Sequence, residues 1–119
     1  MELPPLNTDT VWAILNNELD DDTVNALVWR SLNYSYNPEN DTWDASTADE
    51  GWNEMEPPNF IGSRPATIKL TRSIPKEHKQ LLKEQLNFQG YQIHELTPQK
   101  TRRATAANWL LHKMAEQRE

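Results

Sequence analysis

The chain has 119 residues, a formal net charge of −6 and a hydrophobic fraction of 36%. This length fits one domain with a modest core, and no apolar run approaches the roughly 20 residues of a transmembrane helix. Cysteine is absent, which excludes disulfides and thiolate metal ligands and suits a reducing compartment. We therefore predict a cytoplasmic protein, and the lack of a long apolar run predicts that it has no membrane span.

The two halves of the chain carry opposite charge. Residues 1–59 contain 13 acidic residues and one basic residue, whereas residues 60–119 contain 11 basic and five acidic residues. Either the halves neutralise each other across a shared core, or the basic face stays open for an anionic partner.

Residues 1–33 are predicted to form a helical hairpin. Asn7 or Thr8 suits the N-cap of a first helix, and the apolar residues that follow recur at helical spacing. The three aspartates at 20–22 end that helix and begin a second one. We interpret them as acidic residues at the positive end of a helix dipole rather than as a metal cluster.

Residues 34–44 are predicted to form a β-hairpin. Tyr34 and Tyr36 alternate with polar residues, and the stretch 37–40 has the composition of a turn. A calcium loop is the functional alternative, because oxygen-bearing side chains alternate from Asn37. Thr42 stands where such a loop requires glycine, and Ala48 stands where it requires glutamate, which argues against it.

Residues 45–59 are predicted to form an acidic surface loop. Trp43 and Trp52 flank this segment as candidate loop anchors. Each tryptophan either holds the loop against the core or serves as an anchor for another protein, and we favour the first role.

Residues 60–119 are predicted to form a basic β-α-β-α part. Ile68 and Leu70 alternate with polar residues, which favours a strand over 65–74, although Ser63 and Pro65 could instead start a helix. A helix from Pro75 to about Asn87 and a short strand around Tyr91 and Ile93 follow.

The last helix is the best-defined element, and we expect the chain to be organised around it. Thr97 suits its N-cap and Pro98 its first position. One face carries the apolar residues Ala104, Ala107, Leu111 and Met114, and the opposite face carries Thr101, Thr105, Asn108 and His112. The predicted fold class is α+β: one helix-dominated domain, 1–119, with a small β-sheet.

Several segments resemble a family of proteins. They are L-P-P-L-N-T-D-T-V-W-A-I-L near the start, A-T-I-K-L-T-R-S-I-P, L-L-K-E-Q-L-N-F-Q-G-Y and T-R-R-A-T-A-A-N-W-L-L. The chain is similar over nearly its whole length to a small, functionally uncharacterised family of cyanobacteria and plant plastids. The resemblance implies a single-domain soluble protein of a photosynthetic cell, located in the plastid stroma in plant relatives. It implies no known activity, cofactor or catalytic residue.

No motif for catalysis or cofactor binding is recognisable. His78, His94 and His112 are scattered without metal-ligand spacing, and we expect His78 and His112 on solvated helix exteriors. The chain lacks a nucleophile elbow and a glycine-rich phosphate loop. We therefore predict a protein that is not an enzyme and that holds neither cofactor nor metal.

The basic residues are the candidate binding site for a partner or an anion. They are Lys69, Arg72, Lys100, Arg102, Arg103 and Lys113, together with Trp109. Trp109 either stacks on a base while the cations hold phosphate, or covers the core edge with Lys113 over its ring.

The predicted function is a non-catalytic protein–protein interaction module, such as an adaptor, an assembly factor or a regulator, with an unknown protein partner. The prediction rests on charge segregation and on five tryptophans in a small chain. The alternative is a single-stranded RNA-binding protein that uses the basic face of the last helix. A sequence pI near 5.0 makes nucleic acid the less favoured partner.

Overall fold

The computed structural model describes residues 2–118, so the terminal residues of the predicted domain, Met1 and Glu119, lie outside the described range. Five α-helices and two strands occur within it: α1 (Thr8–Leu15), α2 (Asp21–Ser31), β1 (Ser35–Asn37), β2 (Thr42–Asp44), α3 (Arg64–Arg72), α4 (Leu81–Leu86) and α5 (Pro98–Arg118). Short 3-10 helices occupy Ala45–Thr47, Lys76–His78 and Ile93–Glu95. The predicted α+β class with a small sheet is confirmed.

Helix α5 is the centre of the packing. Each of the other four α-helices contacts it, and its buried apolar residues are Ala106, Ala107, Trp109, Leu110 and Leu111. The face opposite the apolar residues is not wholly exposed, because Asn108 and His112 are also buried. Burial extends to these positions because neighbours pack around α5 on more than one side, so a single apolar stripe does not describe it.

Local capping interactions begin three of the helices where the sequence predicts. The Asn7 side chain accepts a hydrogen bond from the Thr10 N–H at 2.9 Å, and the Asp20 side chain accepts one from the Thr23 N–H at 2.8 Å. The Thr97 hydroxyl accepts from the Lys100 N–H at 3.1 Å. These bonds satisfy backbone donors that have no partner within the first turn of a helix.

The β-hairpin forms within the predicted segment. Its two strands are antiparallel, with Tyr36 opposite Trp43. Asp41 in the connecting turn has a left-handed backbone conformation, with a φ of 51°, which aspartate tolerates better than most residues. The acidic segment that follows begins with a 3-10 helix and leads into α3.

The predicted strand over 65–74 is wrong, because this segment forms α3. The Ser63 hydroxyl accepts from the Ala66 N–H at 3.4 Å, and Pro65 stands in the first turn of the helix. Helical spacing buries Leu70 and Ile74 against the core, whereas a strand would have placed Ile68 beside Leu70. Burial of Leu70 and Ile74 on one face of a helix therefore stabilises this segment more than the strand that the alternation of Ile68 and Leu70 predicts.

The predicted strand around Tyr91 and Ile93 is also wrong, so the β-α-β-α order of residues 60–119 is not observed. With α3 helical, this stretch has no neighbouring strand within residues 2–118 to pair with, and it contains the 3-10 helix Ile93–Glu95. The helix predicted from Pro75 is split into the 3-10 helix Lys76–His78 and α4. The exit of α4 falls at Asn87, whose φ of 54° is left-handed.

Candidate functional site

Trp52 lies within the acidic segment and is part of the hydrophobic core. Its ring is buried, and the centre of the ring lies 5.7 Å from the centre of the Phe60 ring. The Tyr34 hydroxyl donates a hydrogen bond to the Trp52 carbonyl at 3.0 Å. Lys69 lies over the same ring, with its ammonium 4.5 Å from the ring centre. The loop-anchoring role of Trp52 stays a prediction.

Trp43 lies just before the acidic segment and is half-buried. Its ring centre lies 5.1 Å from that of Tyr36 and 5.7 Å from that of Trp29. The other half-buried tryptophans, Trp12 and Trp29, also pack against the core. All five tryptophans therefore serve the packing of the domain, and their number alone does not point to a partner.

Arg103 is a buried residue rather than part of an open basic face. Only 2% of it is exposed, and its Nη1 donates to the Asp21 carboxylate at 2.7 Å. Nε and Nη2 donate to the Ile14 carbonyl at 3.3 and 3.1 Å, and Nη2 also donates to the Leu19 carbonyl. The guanidinium thus joins α5 to the end of α1 and the start of α2.

Trp109 and Lys113 lie together on α5. Trp109 is 1% exposed, and its Nε1 donates to the Ser73 hydroxyl at 3.0 Å. The Lys113 ammonium lies 5.4 Å from the centre of the ring and pairs with Asp49 at 3.7 Å and Glu116 at 3.3 Å. The ring is enclosed by protein, so its face is not available for stacking on a base.

Two further cations contact neighbouring groups. Lys69 donates to the Gly51 carbonyl, and Lys100 pairs with Glu95 at 3.9 Å beside the Tyr91 ring. The contacts Lys69–Gly51, Arg103–Asp21 and Lys113–Asp49 join the basic half to the acidic half, whereas Lys100 and Glu95 both belong to the basic half. Carboxylates of the acidic half therefore pair with Arg103 and Lys113.

Arg72 and Arg102 lie nearer to the surface. Arg72 is exposed at the end of α3. Arg102 is half-buried, and its Nη1 donates to the Ile61 carbonyl at 3.2 Å. Arg102 lines a surface groove of about 600 Å³ between α3 and the beginning of α5. The residues that define this α3–α5 groove here are Arg64, Ile68, Leu96, Pro98, Thr101 and Arg102.

The α3–α5 groove gathers apolar side chains that the sequence did not single out as a site. Ile68 is 36% exposed and Leu96 is 51% exposed, and Ile93, three residues before Leu96, is 90% exposed. These are the large hydrophobic residues that residues 2–118 leave exposed. In helical register Ile68 lies off the stripe of Ala66, Leu70 and Ile74, so a helical interpretation of 65–74 would have revealed it.

A pair of histidines forms a second feature that the sequence did not predict. The Nδ1 atoms of His78 and His112 lie 2.7 Å apart, and the Nε2 of His112 lies 3.4 Å from a Glu116 carboxylate oxygen. The prediction that both histidines are solvated is wrong for His112, which is 5% exposed. His78 and His112 are 34 positions apart in the chain, so local sequence spacing does not predict their contact.

The environment of His112 lowers its pKa from the ordinary value of 6.5. Desolvation by burial is the largest cause, and the charges of His78 and Lys113 act in the same direction, whereas Glu116 opposes them. The folded protein therefore favours neutral His112. Hydrogen bonding agrees with this state if Nε2 carries the proton toward Glu116 and Nδ1 accepts from His78.

We expect the free energy of unfolding to fall as the pH drops below about 6.5. Because the pKa of His112 is lower in the folded state than in the unfolded state, the unfolded chain takes up the proton first as the pH falls. The stability that neutral His112 provides is therefore complete above its unfolded pKa and is lost as the pH falls through its folded pKa. Urea titrations of the wild type and of His112→Gln between pH 8 and pH 5 measure the effect. The wild type should lose more stability than the variant over this range.

His94→Gln is the matched control for the pH experiment, because His94 is an exposed histidine. Its stability should follow the wild-type pH profile. A His112→Gln profile that is parallel to the wild-type profile would mean that His112 titrates with its ordinary pKa.

Residues 2–118 contain neither a cluster of metal-ligating side chains nor a membrane-spanning helix. No group of three or more histidine, aspartate or glutamate side chains in this range is placed to hold a metal ion. No helix in the same range is long and apolar enough to cross a membrane.

Comparisons with known proteins agree with the fold. The chain is similar to a protein whose solution NMR structure is known, with 49% sequence identity, full coverage of both chains and a TM-score of 0.83. No curated protein matches. A family model described as a domain of unknown function, DUF1823, matches residues 5–115. The resemblance to an uncharacterised family is thereby confirmed, and the chain belongs to the DUF1823 family.

Proposed function

We propose that the protein is a non-catalytic protein-interaction module, which binds an acidic segment of a partner protein in the α3–α5 groove. The observation that carries the proposal is the position of its exposed hydrophobic residues. Ile68 and Leu96 line one groove, and Ile93 belongs to the 3-10 helix that leads to it. Exposed apolar side chains gathered beside polar ones are typical of protein-binding surfaces.

The charge of the groove selects the kind of partner. Arg64 and Arg102 both line it, and none of its lining residues within the described part of the chain is acidic. Arg72 adds another exposed cation on α3. Arginine presents five N–H donors in a planar fork that matches a carboxylate, and the Arg102 contact with Ile61 uses one of them. A segment with apolar residues beside aspartate or glutamate complements this surface.

RNA binding has less support than protein binding. The RNA hypothesis relies on Trp109 as a stacking platform and on Arg103 as a phosphate ligand, and both side chains are buried. Base stacking requires an accessible aromatic face. The α3–α5 groove offers aliphatic side chains, which suit the side chains of a protein segment better than bases.

A displayed library of random dodecapeptides tests the proposal. We expect selection on the immobilised protein to enrich peptides that combine leucine, isoleucine or phenylalanine with aspartate or glutamate. Ile68→Asp should weaken binding of the best peptide by roughly tenfold or more, equivalent to about 1.4 kcal/mol, because it places a carboxylate in the groove. Fluorescence anisotropy with a labelled peptide measures the dissociation constant.

Gln85→Asp is the matched control, because it adds the same charge at an exposed position of α4 outside the groove. Its affinity for the peptide should remain within about twofold of the wild type. The proposal fails if selection yields no enriched acidic–apolar sequence, or if Ile68→Asp binds the selected peptide as well as Gln85→Asp does. Ile68 is partly exposed, so the substitution leaves the core intact.

A further inference from the structure

A second groove lies between α4, the segment that follows it, and the neighbouring face of α5. Its volume is about 480 Å³, within the range of roughly 300–1,000 Å³ that small-molecule sites occupy. We name it the α4–α5 groove and define it by Ile74, Lys79, Leu82, Lys83, Phe88, Tyr91 and Ala104. Leu96 and Thr101 line this groove and the α3–α5 groove as well.

The apolar wall of the α4–α5 groove is held in place by defined contacts. Phe88 packs edge-on against Tyr91, with ring centres 5.2 Å apart, and against Trp12 at 6.2 Å. The Tyr91 hydroxyl donates to the Leu15 carbonyl at 2.8 Å. Because these rings are fixed by the fold, an apolar ligand would meet a wall that requires little further ordering.

Asn108 supports the same groove from α5. Its side-chain oxygen accepts from the Leu82 N–H at 3.1 Å, and its side-chain nitrogen donates to the His78 carbonyl at 2.9 Å. The start of α4 is thereby tied to α5. Leu82 is half-buried at this junction, so part of its side chain contributes to the floor.

The charged residues that line the groove are basic. They are Lys79 and Lys83, and among residues 2–118 neither aspartate nor glutamate lines it. The Lys79 ammonium donates one hydrogen bond to the Thr71 carbonyl at 2.6 Å, which holds it at the edge of the groove with further donors to offer. A ligand with an apolar body and one anionic end matches this arrangement.

The geometry points to a binding site for a free organic carboxylate with an aliphatic chain. The chain would lie against Ile74, Leu82 and Phe88, and the carboxylate would pair with Lys79 and Lys83. This inference concerns a small ligand, and it stands independently of the protein partner proposed for the α3–α5 groove.

Octanoate, octanol and octyltrimethylammonium test the inference, because they share an alkyl chain and differ in charge. We expect octanoate, titrated at pH 7.5 below its micellar concentration, to shift the amide signals of Leu82, Phe88, Gly90 and Ala104 in a saturable way by NMR. Octanoate should bind roughly fivefold more tightly than octanol, since each partly exposed ion pair contributes modestly. The cation should bind most weakly.

Variants separate the role of the lysines from that of the chain. The double variant Lys79→Gln and Lys83→Gln should bind octanoate and octanol with equal affinity, whereas Lys76→Gln, outside the groove, should retain the wild-type preference. Ile68→Asp, which places a carboxylate in the α3–α5 groove, should also retain octanoate binding. This last variant distinguishes failure of the ligand site from failure of the protein-docking proposal.

Three outcomes would overturn the inference. They are the absence of saturable shifts with octanoate, a preference for the cation or the alcohol over the carboxylate, and shifts that centre on Ile68 and Arg64. If octanoate does not bind and the protein sediments with anionic lipid vesicles, the groove binds a membrane surface rather than a free carboxylate.

Discussion

Trp109→Ala is expected to lower the free energy of unfolding by about 4 kcal/mol, a typical loss for truncation of a fully buried tryptophan. The ring is 1% exposed on α5, the helix that every other α-helix of residues 2–118 contacts. Truncation opens a cavity at this centre, removes the Nε1–H donor to the Ser73 hydroxyl and removes the ring that lies beside the Lys113 ammonium. Urea denaturation followed by circular dichroism measures the loss.

Two variants locate the origin of the Trp109 effect. Trp109→Phe keeps an aromatic ring but removes the Nε1 donor, and we expect it to cost about half as much, since most of the volume stays filled. Thr101→Ala, at an exposed position of the same helix, should cost less than about 0.5 kcal/mol. Equal stability of Trp109→Ala and Thr101→Ala would contradict a core position for this ring.

Arg103→Met is expected to lower the free energy of unfolding by about 3 kcal/mol, because it removes hydrogen bonds from a charged donor inside the protein. Methionine keeps an apolar chain of similar length, so the change removes the guanidinium rather than the packing. The Ile14 and Leu19 carbonyls lose the donors that link them to α5. Thermal and urea unfolding both measure the effect.

Asp21→Asn separates the ion pair from the carbonyl contacts. The Asp21 side chain is 54% exposed, so solvent screens its charge and the substitution should cost less than about 1 kcal/mol. Arg72→Met is the control for loss of an exposed arginine and should be nearly neutral. If Asp21→Asn costs as much as Arg103→Met, the ion pair rather than the backbone contacts is the main contribution.

The charge pattern of the sequence predicted an interaction between the two halves, but not which cations take part. Arg103 and Arg102 are adjacent in sequence, yet Arg103 is buried and pairs with the exposed Asp21, whereas Arg102 lines a surface groove. The choice depends on which side of α5 receives the end of α1. Asp21 and Arg103 are 82 positions apart, so no local rule pairs them.

The segment 65–74 shows where local patterns were insufficient. Ile68 and Leu70 fit an alternating strand, and Leu70 and Ile74 equally fit a helix. A strand requires a partner to pair with, and within residues 2–118 the β-hairpin pairs only its own two strands. Packing of Leu70 and Ile74 against the core therefore decided the structure, and the same choice exposed Ile68.

The sequence by itself determined where α1, α2 and α5 begin, the β-hairpin and the apolar face of α5. These features depend on capping bonds, turn preferences and side-chain periodicity, which act between residues a few positions apart. Only the tertiary structure decided that Trp109 and Arg103 are buried, that His78 meets His112, and that two grooves flank Leu96. Those outcomes depend on contacts between distant parts of the chain, whose burial and hydrogen bonding outweigh local preference.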